Sequence, residues 1–493
     1  MSNETEQIRT LFEQIDRDVD EENEEGLRAF VERKSELLKE IPEDSHALFF
    51  YGVANAYGGI RKCQGDAKEW WNDPLRFGEI LYLRRSICHP SFLWSNPIPR
   101  ARSRTNLGIA LSRTGRIVDA IDQLNFALLH VPDFGMALCH IGCCLLSYAK
   151  LLHDPGHTDI VLREARSHLS SGIKKGLWFQ GEEIARDYFD KYLSNLNEYL
   201  NQCDEGFPYR SDPYPKRTSK REVRFRDWAA TRKLFINPLN DLGHWPLAAR
   251  DVMHLPPHSY GIRDEPRFPK FFDVIKSEYI GARGLLYEAM ALPEARYMLK
   301  DVTLFDHYDG GIFGPRVEKL KAAFRSGYSI LDKVAMFLND YFELGHSERD
   351  LNFSKLFQDP KDRQQSHPKI AEIMSSPLAG LYSIRADLYK SDSGFRDATE
   401  PDARDLARYR NAMEHRFLTF HEYLAFAGSK NITTQVQIDD FEAKALRMLK
   451  LAREAIIYVV LAMQNEELKR QAEKPKGKLE ATVFGRPYKH CKI

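Results

Sequence analysis

Arg410-Asn411-Ala412-Met413-Glu414-His415 is the stretch of this 493-residue chain whose residue types and spacing could do chemistry. An arginine can hold a phosphate and a histidine can move a proton, so the pair together could break RNA without a metal. The spacing alone does not single this stretch out. Arg84 and His89, and Arg163 and His168, stand equally far apart in the same chain. The elements that would carry each pair therefore have to separate them.

Leu406, Tyr409, Met413, Phe417, Phe420 and Leu424 recur at three- and four-residue intervals. That period predicts one amphipathic helix from about Asp402 to Leu424. At about 100° per residue, His415 lies nearly opposite the centre of this stripe, Asn411 sits one turn before it, and Arg410 falls on the flank. His415 is thus expected to face solvent or a partner. The same pattern also fits a solvated helix face on which Arg410 and Glu414 form an i,i+4 ion pair, worth about 0.2–0.5 kcal/mol.

Arg84–His89 and Arg163–His168 fall in the N-terminal half, which reads as a helical repeat array. Leu107-Gly108, Leu111, Gly115, Ala120, Leu124, Ala127 and Pro132 follow the tetratricopeptide (TPR) pattern, and Ile141-Gly142 restarts it 34 residues after Leu107-Gly108. Gly108 and Ala120 would let two antiparallel helices approach closely, and Pro132 ends the second of them. Ala165, Leu169 and Gly172 continue the pattern after an insertion, and Tyr51-Gly52 begins an upstream unit. Over about residues 25–200 the chain resembles the TPR family. Such an array stacks one face and leaves a concave face for a peptide or protein partner.

The totals set bounds. Seventy-one basic and seventy-one acidic residues cancel, so any nucleic-acid site is a local patch and not a property of the whole chain. The acidic, polar first residues are unlike a secretory signal, and Ala455–Met463, the longest apolar run near the end, is far shorter than the roughly 20 residues of a membrane span. A cytoplasmic protein with no membrane partner is expected. Seven irregularly spaced cysteines fit reduced thiols, and Cys139-His140-x-x-Cys143-Cys144 lacks a second pair at zinc spacing. No metal or cofactor is expected.

The expected domains are a repeat array over 1–203, a basic proline-containing linker over 204–234, a helical bundle over 235–472 and a basic tail over 473–493. The linker runs into Lys216, Arg217, Lys220, Arg221, Arg224 and Arg226, interleaved with Tyr214, Phe225 and Trp228. Basic residues with aromatics can track a phosphate backbone and stack bases, which makes these six RNA-binding candidates. A solvated basic linker is the equal alternative. The remainder reads as amphipathic helices at about 278–290, 315–344, 402–424 and 438–470, an up-and-down bundle in an all-α fold.

Here the chain resembles the HEPN superfamily (higher eukaryotes and prokaryotes nucleotide-binding), whose mark is R-x4–6-H with a polar residue after the arginine. Arg410-Asn411-x-x-x-His415 has that form. Phe235-Ile236-Asn237-Pro238-Leu239-Asn240-Asp241-Leu242, Phe337-Leu338-Asn339-Asp340-Tyr341-Phe342 and Ala452-Arg453-Glu454-Ala455-Ile456-Ile457-Tyr458 resemble a HEPN subfamily fused to such repeats. The resemblance implies a metal-independent endoribonuclease, a toxin or antiviral defence effector, with RNA as substrate. In it Arg410 would hold the scissile phosphate, His415 would act as general base or acid, Asn411 would orient them, and Glu414 would support them or only pair with Arg410. It further implies a homodimer through the bundle, with the site where two protomers meet. The alternatives are a non-catalytic TPR/HEPN scaffold, or a regulator that accepts a nucleotidyl group, with Tyr409 beside the motif as the residue to watch.

Overall fold

The computed structural model describes residues 3–65, 69–178, 183–203, 210, 214, 218–260, 265–294, 296–305, 310–389, 400, 403–423, 433–473 and 481–482. In chain order the helices are α1 (Asn3–Asp20), α2 (Glu24–Glu40), α3 (His46–Gln64), α4 (Pro74–Cys88), α5 (Pro97–Arg113), α6 (Ile117–His130), α7 (Gly135–Ala149), α8 (Pro155–Lys175) and α9 (Glu183–Leu200). They continue as α10 (Lys220–Thr231), α11 (Leu239–Leu242), α12 (Arg267–Ala291), α13 (Pro315–Tyr341), α14 (Pro368–Ile373), α15 (Ser376–Leu388), α16 (Ala403–His415) and α17 (Ile438–Glu473). The strands are β1 (Ser259–Tyr260), β2 (Gly311–Ile312), β3 (Phe417–His421), β4 (Thr433–Gln437) and β5 (Ala481–Thr482). The fold is helical, with small sheets added. Two compact units divide it: Met1–Phe207 with Leu378–Ala403, and Pro208–Pro377 with Arg404–Ile493.

In the first unit, local sequence starts the helices and small residues pair them. Asp73-Pro74, Asn96-Pro97 and Asp154-Pro155 each open a helix. The Asp or Asn side chain accepts a backbone N–H of the first turn, from Leu75, Ile98 and His157 respectively. The proline supplies a preset φ where its missing N–H is not needed. Gly115, at φ 78°, makes the turn between α5 and α6. A Cβ on Gly108 would lie 2.6 Å from Leu124 Cγ and 3.1 Å from the Ala120 carbonyl oxygen. One on Gly142 would lie 2.6 Å from Leu169 Cγ and 3.1 Å from the Ala165 oxygen. The contact made between α5 and α6 is thus repeated between α7 and α8.

The first unit also contains α15, from within the 235–472 segment expected to form the bundle. Leu381, Ile384 and Asp387 are fully buried there. Asp387 accepts from Arg84 and, at 2.6 Å, from Arg116, while Arg116 also donates to Asp119 at 2.9 Å. Two cations and these two carboxylates, with Glu400 3.8 Å from Arg84 as a third, compensate one another out of water. The four helices expected after residue 235 do not include this one, and a local period does not say which unit a helix packs in.

The second unit is built on α12, α13 and α17. The strings that carried the family resemblance meet in it. Arg453, on α17 and 2% exposed, donates to the Phe235 carbonyl at 2.6 Å, to Asp241 at 2.6 Å and to the Asn237 carbonyl at 3.1 Å. Asn240 accepts from Phe235 N–H and donates to the Ala230 and Gly243 carbonyls. Asn339 both accepts from the backbone N–H of His346 and donates to its carbonyl, closing the turn after α13. These polar residues satisfy irregular backbone that would otherwise be buried unpaired.

The long helix expected from Asp402 to Leu424 is not one element. α16 ends at His415 and the chain becomes β3, which pairs in parallel with β4 and antiparallel with β2. Phe417 is exposed, whereas Leu418 and Phe420 are buried, the alternation of a strand. Leu424 lies outside the described residues. The backbone of Phe417–His421 finds its partners more than ten residues away on each side, information that a local apolar period does not carry.

Candidate active site

The site is assembled where α16 docks on α13 and α17. Leu406, Tyr409 and Ala412 are the buried face of α16. Phe441, at the start of α17, is the hub beneath them. Its ring meets Tyr409 at 5.7 Å, Phe324 of α13 at 5.2 Å and Phe420 of β3 at 4.8 Å. Tyr409 also donates to Asp440 at 3.2 Å, and burial pushes its phenol up. The tyrosine beside the motif is thus a core residue with a carboxylate partner.

With that face inward, Asn411, Glu414 and His415 are exposed and Arg410 lies on the flank. Arg410 is anchored from α13. Its guanidinium carbon lies 4.7 Å above the Tyr328 ring, and Nη2 approaches Asp332 Oδ2 at 3.5 Å. At that distance the second contact is an ion pair more than a hydrogen bond. Asp332 uses its other oxygen to accept Phe353 N–H at 3.0 Å, so the carboxylate is fixed in place.

Glu414 does not pair with Arg410. Its partner is Arg325 of α13, whose Nε lies 3.3 Å away and whose Nη2 donates to the Met413 carbonyl at 3.0 Å. A cation from a neighbouring helix thereby satisfies a carbonyl in the last turn of α16, two residues before His415. Arg325, Tyr328 and Asp332, spaced i, i+3 and i+7, form one stripe that grips α16. These three supporting residues were not found by sequence reasoning. Their spacing along the helix expected over 315–344 was the available signal, but nothing in it named the partner.

Arg410 and His415 leave α16 about 140° apart around the axis and about 7.5 Å apart along it. The arrangement offers an anchored cation on one side and an exposed imidazole on another, with the aromatic Phe417 67% exposed just beyond.

The other pairs of equal spacing have different surroundings. Arg84 is consumed in the buried Asp387 cluster, and His89 caps the following turn through the backbone N–H of Ser91. Arg163 donates to Asp159. The Cys139–Cys144 cluster is packed: burial pushes the thiols of Cys139 and Cys144 up to about 12 and that of Cys143 up to about 11, and pushes the His140 imidazole down to about 4. Among the described residues, no group of three or more His, Cys, Asp or Glu side chains is placed to share a metal, and no helix is long and apolar enough to cross a membrane.

The basic stretch is a helix, not a linker, from Lys220 onward. Ser219 caps it by accepting Glu222 N–H at 3.2 Å. Arg226 is bound to Glu222 and to the Ala249 carbonyl at 2.7 Å. Phe225 and Trp228 pack edge-on against Tyr287, so neither stands ready to stack a base. Lys220, Arg221 and Arg224 are exposed. Lys216 and Arg217 lie outside the described residues.

Residues 259–466 match the model of a family described as LA2681-like HEPN. The match spans α12 to most of α17 and contains the 410–415 motif; the 235–242 string precedes it. It supports the HEPN part of the resemblance read from the sequence. No curated protein and no solved structure matches the chain.

Proposed function

We propose that this protein is a metal-independent endoribonuclease, with Arg410 and His415 as its catalytic residues. The observation that carries the reading is the exposed His415 and the Tyr328-anchored Arg410 on one helix, inside the segment that matches a HEPN family. In this reading Arg410 binds the scissile phosphate and stabilises the charge that develops on it. His415 takes the proton of the neighbouring 2′-OH or delivers one to the leaving 5′ oxygen. The 2′ oxygen attacks phosphorus, the bond to the 5′ oxygen breaks, and a 2′,3′-cyclic phosphate remains. Asn411 orients the pair. Glu414 acts at one remove, by fixing Arg325 against the end of α16.

Because the two side chains leave the helix on different sides, a second copy of the chain would complete the constellation. We place the site at a two-fold axis, where Arg410 of one protomer works with His415 of the other. The first unit is proposed as a TPR-like module that docks a peptide or protein, and the molecule as a toxin or antiviral defence effector that acts in the cytoplasm. One observation favours the alternative of a non-catalytic scaffold: Arg410 already has a carboxylate partner in Asp332.

The test is incubation of the purified protein with RNA and with the matching 2′-deoxy oligonucleotide, both in excess EDTA. Cleavage of the RNA alone, with cyclic phosphate ends, is expected. Cleavage of both, or loss of RNA cleavage in EDTA that added metal restores, contradicts the chemistry.

A further inference from the structure

Between α8 and α9 of the first unit lies a groove of about 410 Å³ whose lining is cationic and hydroxylic. Arg163, Arg166 and Lys174 line it together with Ser167, Ser170 and Ser171, and α9 adds Asn197. On α8 these positions recur at i, i+3/4, i+7/8 and i+11, so they form a single face about 16 Å long. The opposite face of the same helix, with Val161, Ala165, Leu169 and Gly172, is buried. No carboxylate and no aromatic ring is among the described residues that line the groove.

We propose that this groove binds a small molecule carrying two or more phosphates. The size lies within the usual range for a small-ligand site, about 300–1,000 Å³. Arginines and a lysine supply charge-assisted donors to phosphate oxygens, and serine hydroxyls between them can donate to the same oxygens or accept from sugar hydroxyls. Asp159 takes Arg163 Nε at 2.9 Å and so sets the plane of that guanidinium at one end. The charged positions from Arg163 to Lys174 are strung along about 16 Å of the helix axis, so a ligand that engages the face along its length is longer than a single phosphate. With no ring among the described lining residues to stack a base, recognition rests mainly on the phosphates. The proposal is independent of RNA cleavage.

The experiment is titration of the full chain with inorganic tripolyphosphate, inorganic phosphate, ATP, polyglutamate and a 20-nucleotide RNA, repeated with His415→Ala. Tripolyphosphate and ATP are expected to bind with similar affinity, phosphate far more weakly, and His415→Ala to bind like the parent. Arg166→Glu and Lys174→Glu should each weaken tripolyphosphate by about tenfold or more, as expected for losing a charge-assisted contact. Lys191→Glu, an equal charge change on α9 outside the groove, should leave it unchanged. Equal weakening by Lys191→Glu would mean diffuse surface charge and would overturn the site. So would failure of tripolyphosphate to bind, or RNA or polyglutamate bound in the groove that tripolyphosphate does not displace.

Discussion

At the scale of single residues, the decisive contrast is between arginines that are consumed and one that is held. Arg84, Arg116 and Arg453 are buried against carboxylates, and their removal would leave charge or backbone unpaired. Arg410 instead rests on a ring with its side chain 38% exposed, a geometry that fixes direction while leaving the cation reachable. Tyr328 is therefore a positioning residue. A cation–π contact of this exposure is worth about 0.5–1 kcal/mol. Tyr328→Leu should lower RNA-cleavage kcat/KM by about two- to fivefold, whereas Tyr328→Phe, which keeps the ring, should stay near the parent rate. Equal losses in both variants would assign the effect to the hydroxyl, and no loss in either would free Arg410 from Tyr328 altogether. The exposure of His415 and Asn411 was readable from helical period alone. The identity of the residues that grip Arg410 was not, because Tyr328 and Asp332 stand about eighty positions earlier in the chain.

At the scale of elements, the sequence was most legible where structure is local. Gly108 and Gly142, read from the repeat spacing, mark the two close pairings of the first unit. Legibility failed where partners are distant. Met413, Phe417 and Phe420 suit a helix by spacing, yet β3 begins right after α16 because β2 and β4 complete its ladder. α15 was equally opaque, since its helical period is the same whichever unit it enters. Its attachment has an energetic signature. Asp387 is fully buried and answers two arginines, so Asp387→Ala leaves Arg84 and Arg116 with one carboxylate fewer between them. Breaking a buried pair by removing one partner costs about 3–5 kcal/mol. Asp387→Ala should lower the urea midpoint of the first unit accordingly, while a surface change such as Arg408→Ala should leave it within about 0.5 kcal/mol. A loss below about 1 kcal/mol would mean that the cluster is not closed in solution.

At the scale of the whole molecule, the chain is not a simple tandem of two modules, because Leu378–Ala403 returns to the first unit. A chain that begins at Glu222 would leave Leu381, Ile384 and Asp387 without the residues that cover them. It should aggregate or expose apolar surface to a reporter dye, whereas the full chain should not. A soluble, fully helical product would show that α15 needs no cover. The zero net charge sets the same scale for recognition: any binding of anions rests on local features, such as the groove lined by Arg163, Arg166 and Lys174. The most direct measurement is the rate of RNA cleavage in EDTA by the full chain, by His415→Ala and Arg410→Ala, and by His168→Ala and His89→Ala as partners of equal spacing. Loss of a general acid–base group typically costs about 10²–10⁴-fold. The expected result is that His415→Ala and Arg410→Ala lose most activity while keeping their helical signal, and that His168→Ala and His89→Ala match the parent. A His415→Ala protein that cleaves RNA as fast as the parent would contradict it.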